Sequence, residues 1–309
     1  MSKLRKYLGG SAAVLLAGSG LAFVGSSSPA LAAETGTCAS IGAFTTPGGL
    51  DLISPLPSEE LIAWVSGLTK QHHFAKSGCD IFRALSLSSP KPLNQYTAVF
   101  DFGIGVGRLA RLFKGFNGTY SGVDVDKRHI DWVQSALGSY VHARTIKPRA
   151  YLPFDGATFD CIISVSVFTH MNESDQLFYI KELARVAQPG ATLMLTTHGE
   201  RALVRVEQEA EIQTLMNIPI ESVAITRELF PTPGYSFVRQ YDHFTPVEKP
   251  KSFLQKLLSG FKNTDYQYGI TFISEDYIRR VWGQYFDIVR IDPAAIHDFQ
   301  DIVILKARG

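Results

Sequence analysis

Short apolar runs and amphipathic segments take turns along the middle of the chain. The apolar runs predict buried strands, and segments with apolar residues three or four positions apart predict helices packed against them. The predicted strands are 97–102, 119–123, 159–165 and 192–197. The predicted helices are 58–70, 79–87, 106–114, 127–137 and 172–186. This alternation indicates an α/β fold with a doubly wound, mostly parallel sheet and helices on both faces.

The rhythm changes after residue 197. Residues 198–269 contain one predicted polar helix, 200–216, and then an aromatic and proline-rich stretch, so we expect an insertion above the carboxyl edge of the sheet. A helix at 274–282 and strands at 286–291 and 301–306 close the chain. The two strands are too close in sequence for a parallel crossover, which needs a dozen or more residues. We therefore predict that they pair antiparallel, which makes the last strand of the sheet antiparallel.

The first 33 residues have the pattern of a secretory signal peptide. Three basic residues precede an uncharged run over 7–33, which ends with small residues at Ala30 and Ala32. A cleaved signal predicts export. An uncleaved segment would be the only membrane contact we expect, and a cytoplasmic location follows if the segment is not functional. Residues 34–57 are predicted to be a linker, and 58–309 a single domain.

The composition of the chain bears on whether it binds nucleic acid or a metal ion. Of 309 residues, 45% are hydrophobic and 19% are charged, which is enough for a sizeable core. The 30 basic and 29 acidic residues balance, which argues against a nucleic-acid partner held by bulk charge. The cysteines (Cys38, Cys79 and Cys161) lack metal-ligand spacing, and we predict no metal site. The sequence leaves a pairing of Cys38 with Cys79 open.

The chemistry-bearing motif follows the first predicted strand. Asp101 lies in that strand, glycines alternate at Gly103, Gly105 and Gly107, and Asp124 ends the next strand. Such a loop brings the backbone close to a small charged cofactor, while the second acid holds a ribose. A dinucleotide site expects its third glycine one position later than here, and its fold usually ends with a parallel strand. A nicotinamide-dependent oxidoreductase is therefore the less favoured hypothesis.

Six motifs in order give the chain a family resemblance over residues 61–306. They are Val-Phe-Asp-Phe-Gly-Ile-Gly-Val-Gly-Arg (99–108), Ser-Gly-Val-Asp-Val-Asp (121–126), Leu-Pro-Phe-Asp-Gly-Ala-Thr-Phe-Asp (152–160), Ser-Val-Phe-Thr-His-Met (166–171), Leu-Ala-Arg-Val-Ala-Gln-Pro-Gly-Ala (183–191) and Gln-Asp-Ile-Val-Ile-Leu-Lys (300–306). With these motifs the chain resembles the class I S-adenosylmethionine-dependent methyltransferases. The stretches 64–67 and 166–170 further resemble a bacterial subgroup associated with small molecules and glycans.

The resemblance implies a Rossmann-like sheet, S-adenosylmethionine as cofactor, and methyl transfer to a small-molecule or glycan acceptor, at oxygen. It places the three glycines against the methionine portion and Asp101 near the cationic end. Asp124 would accept hydrogen bonds from the ribose hydroxyls, with Val125 beside it. Leu152, with Tyr151 and Phe154, would flank the adenine, although core packing explains these three equally well. Relatives often carry an acid before this motif, and residues 147–151 have none.

Two histidines are candidates for a general base or an acceptor contact. His170 follows the fourth predicted strand and His198 the fifth, so both are expected at the carboxyl edge, where ligands bind in such sheets. A histidine that merely shapes a loop is the alternative for each. Glu200 and His243 are further candidates.

The aromatic residues of the insertion allow two interpretations. They could stack on a sugar or form a packed subdomain: Phe230, Tyr235, Phe237, Tyr241 and Phe244. A non-catalytic binding or scaffold protein on the same fold is the competing class of function. The signal-like N-terminus favours it, because S-adenosylmethionine is made in the cytosol, whereas the intact glycine loop argues against it.

Overall fold

A computed structural model describes residues 55–241 and 267–309. The signal-like segment, Cys38, His243, Phe244 and nearly all of the predicted linker lie outside these residues. The described strands are β1 (Ala98–Phe102), β2 (Thr119–Asp124), β3 (His142–Thr145), β4 (Phe159–Ser164), β5 (Ala187–Thr197), β6 (Tyr235–Tyr241), β7 (Tyr268–Ile273), β8 (Phe286–Ile296) and β9 (Gln300–Ala307). The described helices are α1 (Glu59–Ser66), α2 (Gln71–Ser88), α3 (Lys127–Leu137), α4 (Glu173–Val186), α5 (Glu200–Gln208), α6 (Ala210–Leu215), α7 (Ile220–Leu229) and α8 (Glu275–Val281).

Seven strands form the main sheet, in the order β3-β2-β1-β4-β5-β9-β8. The neighbours from β3 to β5 are parallel, and β9 is antiparallel to both β5 and β8. The mostly parallel sheet and the antiparallel last strand are therefore confirmed. The short strand β3 is absent from the prediction, because only Ala143 of its four residues is buried and no apolar run marks it.

Helices cover both faces of the sheet, as predicted. Alternate strand residues that share one face of the sheet pack with α2 and α3, as Val99 does with Phe82 and Val133. Residues on the other face pack with α4 and α8, as Phe100 does with Ile180 and Ile278. This alternation follows from the two-residue period of a strand, which sends successive side chains to opposite faces. None of the described helices is long and apolar enough to cross a membrane.

Local signals fixed several helix starts. Ser58, Asp126, Asn172 and Ser274 cap α1, α3, α4 and α8 by accepting a hydrogen bond from a backbone N–H in the first turn. Helix α1 ends earlier than predicted, because Gly67 adopts a left-handed φ of 67°. Helix α2 starts earlier than predicted, at Gln71.

The helix predicted at 106–114 is wrong. The chain turns through the glycine loop and forms only a 3-10 turn at Ala110–Phe113. Gly103, Gly105 and Gly107 all have positive φ, between 54° and 85°, and this conformation is incompatible with the start of a right-handed helix.

The insertion has its own small core. The predicted helix 200–216 is two helices, α5 and α6, separated at Glu209, and α7 follows them without having been predicted. Strands β6 and β7 pair antiparallel as a two-stranded sheet. Leu203, Ile212 and Phe230 from the helices pack against Phe272 of β7. The insertion thus presents β7 to the carboxyl edge of the main sheet, where Met171 bridges to Tyr268.

Candidate cofactor and acceptor site

One cavity lies where β1, β2 and β4 end. It is bounded by the glycine loop, the ends of these strands, the two N-terminal helices and the start of β7. The residues lining it are Val65, Ser66, Phe74, Asp101, Phe102, Gly103, Ile104, Gly105, Val106, Arg108, Leu109, Val123, Asp124, Val125, Asp126, His129, Ile146, Pro148, Val165, Ser166, Val167, His170, Met171, Tyr179 and Tyr268. Nine residues are predicted from sequence as cofactor-binding or catalytic. Five of them line this cavity: Asp101, Gly103, Gly105, Asp124 and Val125. His170 is a sixth, while Gly107, Leu152 and His198 are elsewhere.

The glycine loop is shaped for close approach at two of its three glycines. A Cβ on Gly103 would lie 2.2 Å from Val167 Cγ2, and one on Gly105 would lie 2.9 Å from Val65 Cγ2. Both glycines line the cavity. Gly107 does not line it, and its missing side chain leaves room for Leu137, whose Cδ1 would be 2.7 Å from a Cβ. The third glycine therefore serves packing against α3 and a positive φ rather than the cavity surface.

Asp124 holds the loop and the next turn together. Its Oδ2 accepts a hydrogen bond from the Gly105 N–H at 2.9 Å, and its Oδ1 accepts one from the Asp126 N–H at 2.8 Å. His129 Nδ1 lies 3.3 Å from Oδ1. A carboxylate oxygen has two lone pairs, so Oδ2 keeps one acceptor site after its bond to Gly105, and Oδ1 keeps one beside the Asp126 bond when His129 Nδ1 does not donate to it. The carboxylate is thus fixed in orientation at the cavity wall and can still accept hydrogen bonds from a pair of hydroxyls.

Asp101 is an acid in a nearly closed environment. Its residue is 3% exposed, and its Oδ2 accepts a hydrogen bond from the Tyr120 hydroxyl at 2.7 Å. Burial raises the pKa of Asp101 to about 7, with Asp124 adding to the rise while Tyr120 and Arg108 oppose it. A cationic ligand in the cavity would favour the ionised form of this carboxyl group.

Val125, Ile146 and Pro148 also line the cavity. Leu152 is not part of it. The Leu152 side chain is buried in the apolar cluster of Phe100 and Phe159, and its N–H donates to Glu182 at 2.8 Å. The expectation that Leu152 contacts the cofactor is therefore not supported by its position, because core packing takes the side chain.

Tyr151 and Phe154 also lie outside the cavity wall. The Tyr151 side chain is 75% exposed, and the Phe154 ring packs against Phe100 and Phe159 with centroids about 5 Å apart. The motif after residue 151 therefore serves the core of the sheet.

His170 lines the same cavity as the glycine loop. It ends a 3-10 turn, Phe168–His170, directly after β4, and its ring stacks on Tyr268 with centroids 4.8 Å apart. Nδ1 lies 2.9 Å from the Gly269 carbonyl oxygen. A carbonyl only accepts, so Nδ1 carries the proton and Nε2 keeps its lone pair. Burial lowers the pKa of His170 to about 4, so the ring is neutral near pH 7.

His198 lies behind His170, away from the cavity. The two ring centroids are 6.4 Å apart, and His198 is 3% exposed among Phe272 and Phe299. Its Nδ1 donates to the Thr271 carbonyl oxygen at 3.1 Å, and burial followed by the neighbouring His170 lowers its pKa to about 3. The structure therefore brings one of the two predicted histidines to the cavity.

The remaining acceptor candidates lie elsewhere or in the core. Glu200 pairs with Arg227 at 2.7 Å beside a separate surface cleft. Phe230 and Tyr235 are buried, and the Tyr235 hydroxyl donates to the Met171 carbonyl oxygen at 2.6 Å. Phe230 packs in the core of the insertion, and Tyr235 packs in the cluster on the α4 and α8 face of the main sheet, so both rings serve packing.

Several lining residues carry no predicted role. Val65, Ser66 and Phe74 come from the N-terminal helices, and Arg108 and Tyr268 come from the loop and from β7. Arg108 directly follows Gly107, and this position at the end of the glycine loop is the sequence signal that points to it. Among residues 55–241 and 267–309, no group of three or more His, Cys, Asp or Glu side chains is arranged to hold a metal ion.

The features of the cavity fit the cofactor implied by the motifs. A side chain on Gly103 or Gly105 would collide with its neighbours at the cavity wall. The Asp124 carboxylate is held in a fixed orientation and can accept hydrogen bonds from hydroxyl groups. The buried Asp101 carboxyl group suits a cationic ligand. S-adenosylmethionine has all three counterparts: a flexible methionyl chain, a ribose and a positively charged end.

The chain is similar to one family model and to several solved structures. Residues 100–195 match a family model described as a methyltransferase domain. A S-adenosylmethionine-dependent methyltransferase from Clostridium acetobutylicum is 11% identical, with a TM-score of 0.46, 76% of this chain covered and 92% of that one. A glycopeptide N-methyltransferase, solved with S-adenosylmethionine, is 13% identical, with a TM-score of 0.46 and coverages of 73% and 86%.

A third solved structure is the 1,6-didemethyltoxoflavin-N1-methyltransferase of Burkholderia thailandensis. It is 12% identical, with a TM-score of 0.44 and coverages of 76% of this chain and 78% of that one. Likenesses at this level do not identify an acceptor. The matched family model covers β1 to β5, which contain the glycine loop, Asp124 and His170. The region from β1 to β5 is therefore similar to a methyltransferase domain, a class of enzyme whose cofactor is S-adenosylmethionine.

Proposed function

We propose that this protein transfers a methyl group from S-adenosylmethionine to a hydroxyl group of a small molecule or glycan, with His170 as the general base. The observation that carries the proposal is the state of His170. Its Nδ1 proton is committed to the Gly269 carbonyl oxygen, its ring is neutral near pH 7, and it lines the same cavity as the glycine loop. Nε2 is thus available to accept a proton.

The cofactor-binding residues divide by chemistry. Gly103 and Gly105 give the methionyl chain its path, and Asp101 faces the cationic end. Asp124 accepts hydrogen bonds from the ribose hydroxyls, in an orientation fixed by the backbone N–H groups of Gly105 and Asp126. Val125, with Ile146 and Pro148, forms an apolar slot for the adenine. Gly107 and Leu152 support these cofactor-binding residues through packing.

The reaction needs alignment and one proton acceptor. S-adenosylmethionine supplies a methyl carbon already activated by a sulfonium. Holding the acceptor in line with that carbon removes much of the barrier, because alignment replaces a bimolecular encounter. A hydroxyl becomes a better nucleophile as its proton moves to His170 Nε2, a contribution of about 10²–10⁴-fold. A neutral amine attacks without prior loss of a proton, so the proposed base favours oxygen.

A matched acceptor panel tests this choice of atom. The full-length protein is incubated with methyl-labelled S-adenosylmethionine and pairs of sugars and small phenols that differ only in a hydroxyl or an amino group. We expect label on the hydroxyl members, and loss of labelling in His170→Gln. Labelling confined to the amino members would contradict transfer to oxygen.

The subgroup and location are further parts of the proposal. The resemblance over residues 64–67 and 166–170 supports a bacterial small-molecule or glycan methyltransferase. The signal-like pattern over residues 1–33 supports export or membrane association through that segment. N-terminal sequencing of fractionated protein tests this: a start near residue 34 is expected, and an intact Met1 in the cytosol would contradict it.

A further inference from the structure

The three cysteines of the chain are not in the same chemical state. Cys161 lies in β4, is fully buried and carries a free thiol. Burial raises the pKa of that thiol well above its usual range, so it stays protonated and unreactive near pH 7. Cys79 lies in α2, is partly buried and is disulfide-bonded. Since the sequence has three cysteines, Cys38 is the one left to bond with Cys79 within a single chain.

Cys79 belongs to the part of α2 that supports the wall of the cavity. Phe74 of the same helix lines the cavity, and a Cβ on Gly78 would lie 3.1 Å from the Arg108 carbonyl oxygen. The Cys79 side chain packs against the core cluster that contains Leu109. A covalent bond to Cys79 therefore attaches to a helix that is already held against the end of the glycine loop and against the core.

Cys38 lies where cleavage of an export signal would leave it close to the start of the mature chain. It follows the small-residue end of the signal-like segment, five positions after residue 33. Disulfides persist in exported proteins and are rare in the cytosol, because cytosolic thiol systems keep cysteines reduced. The bonded state of Cys79 and the signal-like pattern are independent observations, and both point to an oxidising compartment.

We infer that Cys38 and Cys79 form a disulfide within one chain, and that this bond ties the mature N-terminus to the helix beside the cofactor cavity. The inference rests on the export part of the proposed function and not on the methyl transfer. It encloses most of the predicted linker, residues 34–57, in a covalent loop. Cross-linking two points 41 positions apart removes conformations from the unfolded chain, which stabilises the folded one.

Formation of the bond is a two-electron oxidation. Cys38 and Cys79 each give up one proton, and together they give up two electrons as their sulfur atoms join. The electrons pass by thiol–disulfide exchange to a disulfide oxidant of the export compartment, whose own S–S bond is reduced to two thiols. Cys161 takes no part, because its thiol is buried and protonated.

Tryptic mapping of the exported full-length protein tests the pairing. The protein is expressed in a bacterium with its own N-terminal segment and recovered from the exported fraction without reductant. It is then denatured in iodoacetamide, which labels free thiols, and digested. We expect peptide 77–83 joined to peptide 34–70, and peptide 150–181 labelled on Cys161. Dithiothreitol added before the label should separate the joined pair.

The map distinguishes the inference from the proposed function. Labelled Cys38 and Cys79 would overturn the inference, as would a bond from either residue to Cys161, to a second chain or to a small thiol. A joined peptide that begins at Tyr7 would contradict cleavage of the signal and leave the disulfide standing. If no protein is exported, the export part of the proposed function is contradicted, and full-length cytosolic protein oxidised with glutathione provides the same map.

Thermal unfolding measures what the bond contributes to the folded protein. Without reductant, Cys38→Ser and Cys79→Ser should each lower the Tm by about 5–15 °C, because the covalent loop is opened. The double variant should lose no more than Cys79→Ser alone, since both lack the same bond. Dithiothreitol should lower the Tm of the wild type to that of Cys38→Ser and leave Cys38→Ser unchanged. A loss in Cys79→Ser with none in Cys38→Ser would reduce Cys79 to a packing role and overturn the inference.

Discussion

The two parts of the cavity that we propose bind the cofactor and the acceptor, called here the cofactor half and the acceptor half, are built in different ways. The cofactor half is nearly continuous in sequence: β1, the glycine loop, β2 and the start of α3 provide Asp101, the glycines and Asp124. The acceptor half depends on a contact between residues 99 positions apart, in which His170 donates to the Gly269 carbonyl oxygen. The comparison teaches that cofactor chemistry is encoded locally here, whereas acceptor chemistry depends on how the insertion docks.

The largest expected effect comes from the acceptor half. His170→Gln should lower turnover by about 10²–10⁴-fold, because the proton acceptor is lost. Affinity for S-adenosylhomocysteine should stay within about threefold, since none of the proposed cofactor-binding residues is changed. Turnover is measured with the best hydroxyl acceptor from the panel, and affinity by calorimetry. His142→Gln, at an exposed position on β3, is the matched control and should behave as wild type.

If His170→Gln lost affinity for S-adenosylhomocysteine as strongly as it lost turnover, the assignment of separate roles to the two halves of the cavity would be contradicted. Unchanged turnover would remove His170 as the base.

The second effect belongs to the cofactor half. Asp124→Asn should weaken binding of S-adenosylhomocysteine by about 10²-fold, because an amide cannot accept hydrogen bonds from both ribose hydroxyls while holding the Gly105 and Asp126 N–H groups. Calorimetry measures the change. Asp131→Asn, at an exposed acid of α3 paired with Lys127, is the control. An affinity for Asp124→Asn equal to that of the control would contradict the ribose role.

The third prediction concerns the backbone of the glycine loop. Gly103→Ala should reduce the free energy of unfolding by about 1–3 kcal/mol, because the residue has a φ of 85° and its Cβ would collide with Val167. Gly156→Ala, with ordinary φ and its nearest neighbour 3.4 Å away, should change the free energy by less than about 1 kcal/mol. Urea unfolding of both variants measures the difference. Equal stability of the two would show that the loop relaxes freely.

The last prediction concerns His198, which lies beside His170. Its pKa is lowered to about 3 in the folded protein, so the unfolded chain gains a proton below about pH 6.5 while the folded one does not. This contribution is zero above about pH 6.5, where the ring is neutral in both states, and it costs about 2–3 kcal/mol of stability by pH 4.5. His170 acts in the same direction, whereas Asp101, with a raised pKa, acts in the opposite one.

The measurement is a difference between proteins. The loss of stability in urea unfolding between pH 7.5 and pH 4.5 should be smaller for His198→Gln than for wild type. His142→Gln should retain the wild-type loss. Identical losses in all three proteins would show that His198 is not buried as described.

The parts of the fold that follow from neighbouring residues could be predicted. The cap residues Ser58 and Asn172, the two-residue period of β1 and the short link between β8 and β9 each act over a few positions. The loop glycines were found for the same reason. The error at 106–114 arose because an apolar pattern suited to a helix was opposed by three positive φ angles.

The acceptor half could be predicted only in part. His170 was placed correctly at the carboxyl edge because it follows a strand. Sequence could not distinguish it from His198, because both histidines follow strands. Which of the two lines the cavity depends on how they pack against β7, where His170 donates to the Gly269 carbonyl oxygen and His198 to that of Thr271. Sequence left two interpretations of Leu152 open for a related reason: a buried side chain in a core and one in a ligand wall have the same apolar character.

Titration of the wild-type protein with S-adenosylhomocysteine by calorimetry tests the central claim most directly, with a nicotinamide dinucleotide titrated in parallel. One molecule of S-adenosylhomocysteine should bind per chain with a dissociation constant of about 1–100 μM, a range typical of enzyme ligands, and the dinucleotide should give no heat. Binding of the dinucleotide without binding of S-adenosylhomocysteine would contradict the account.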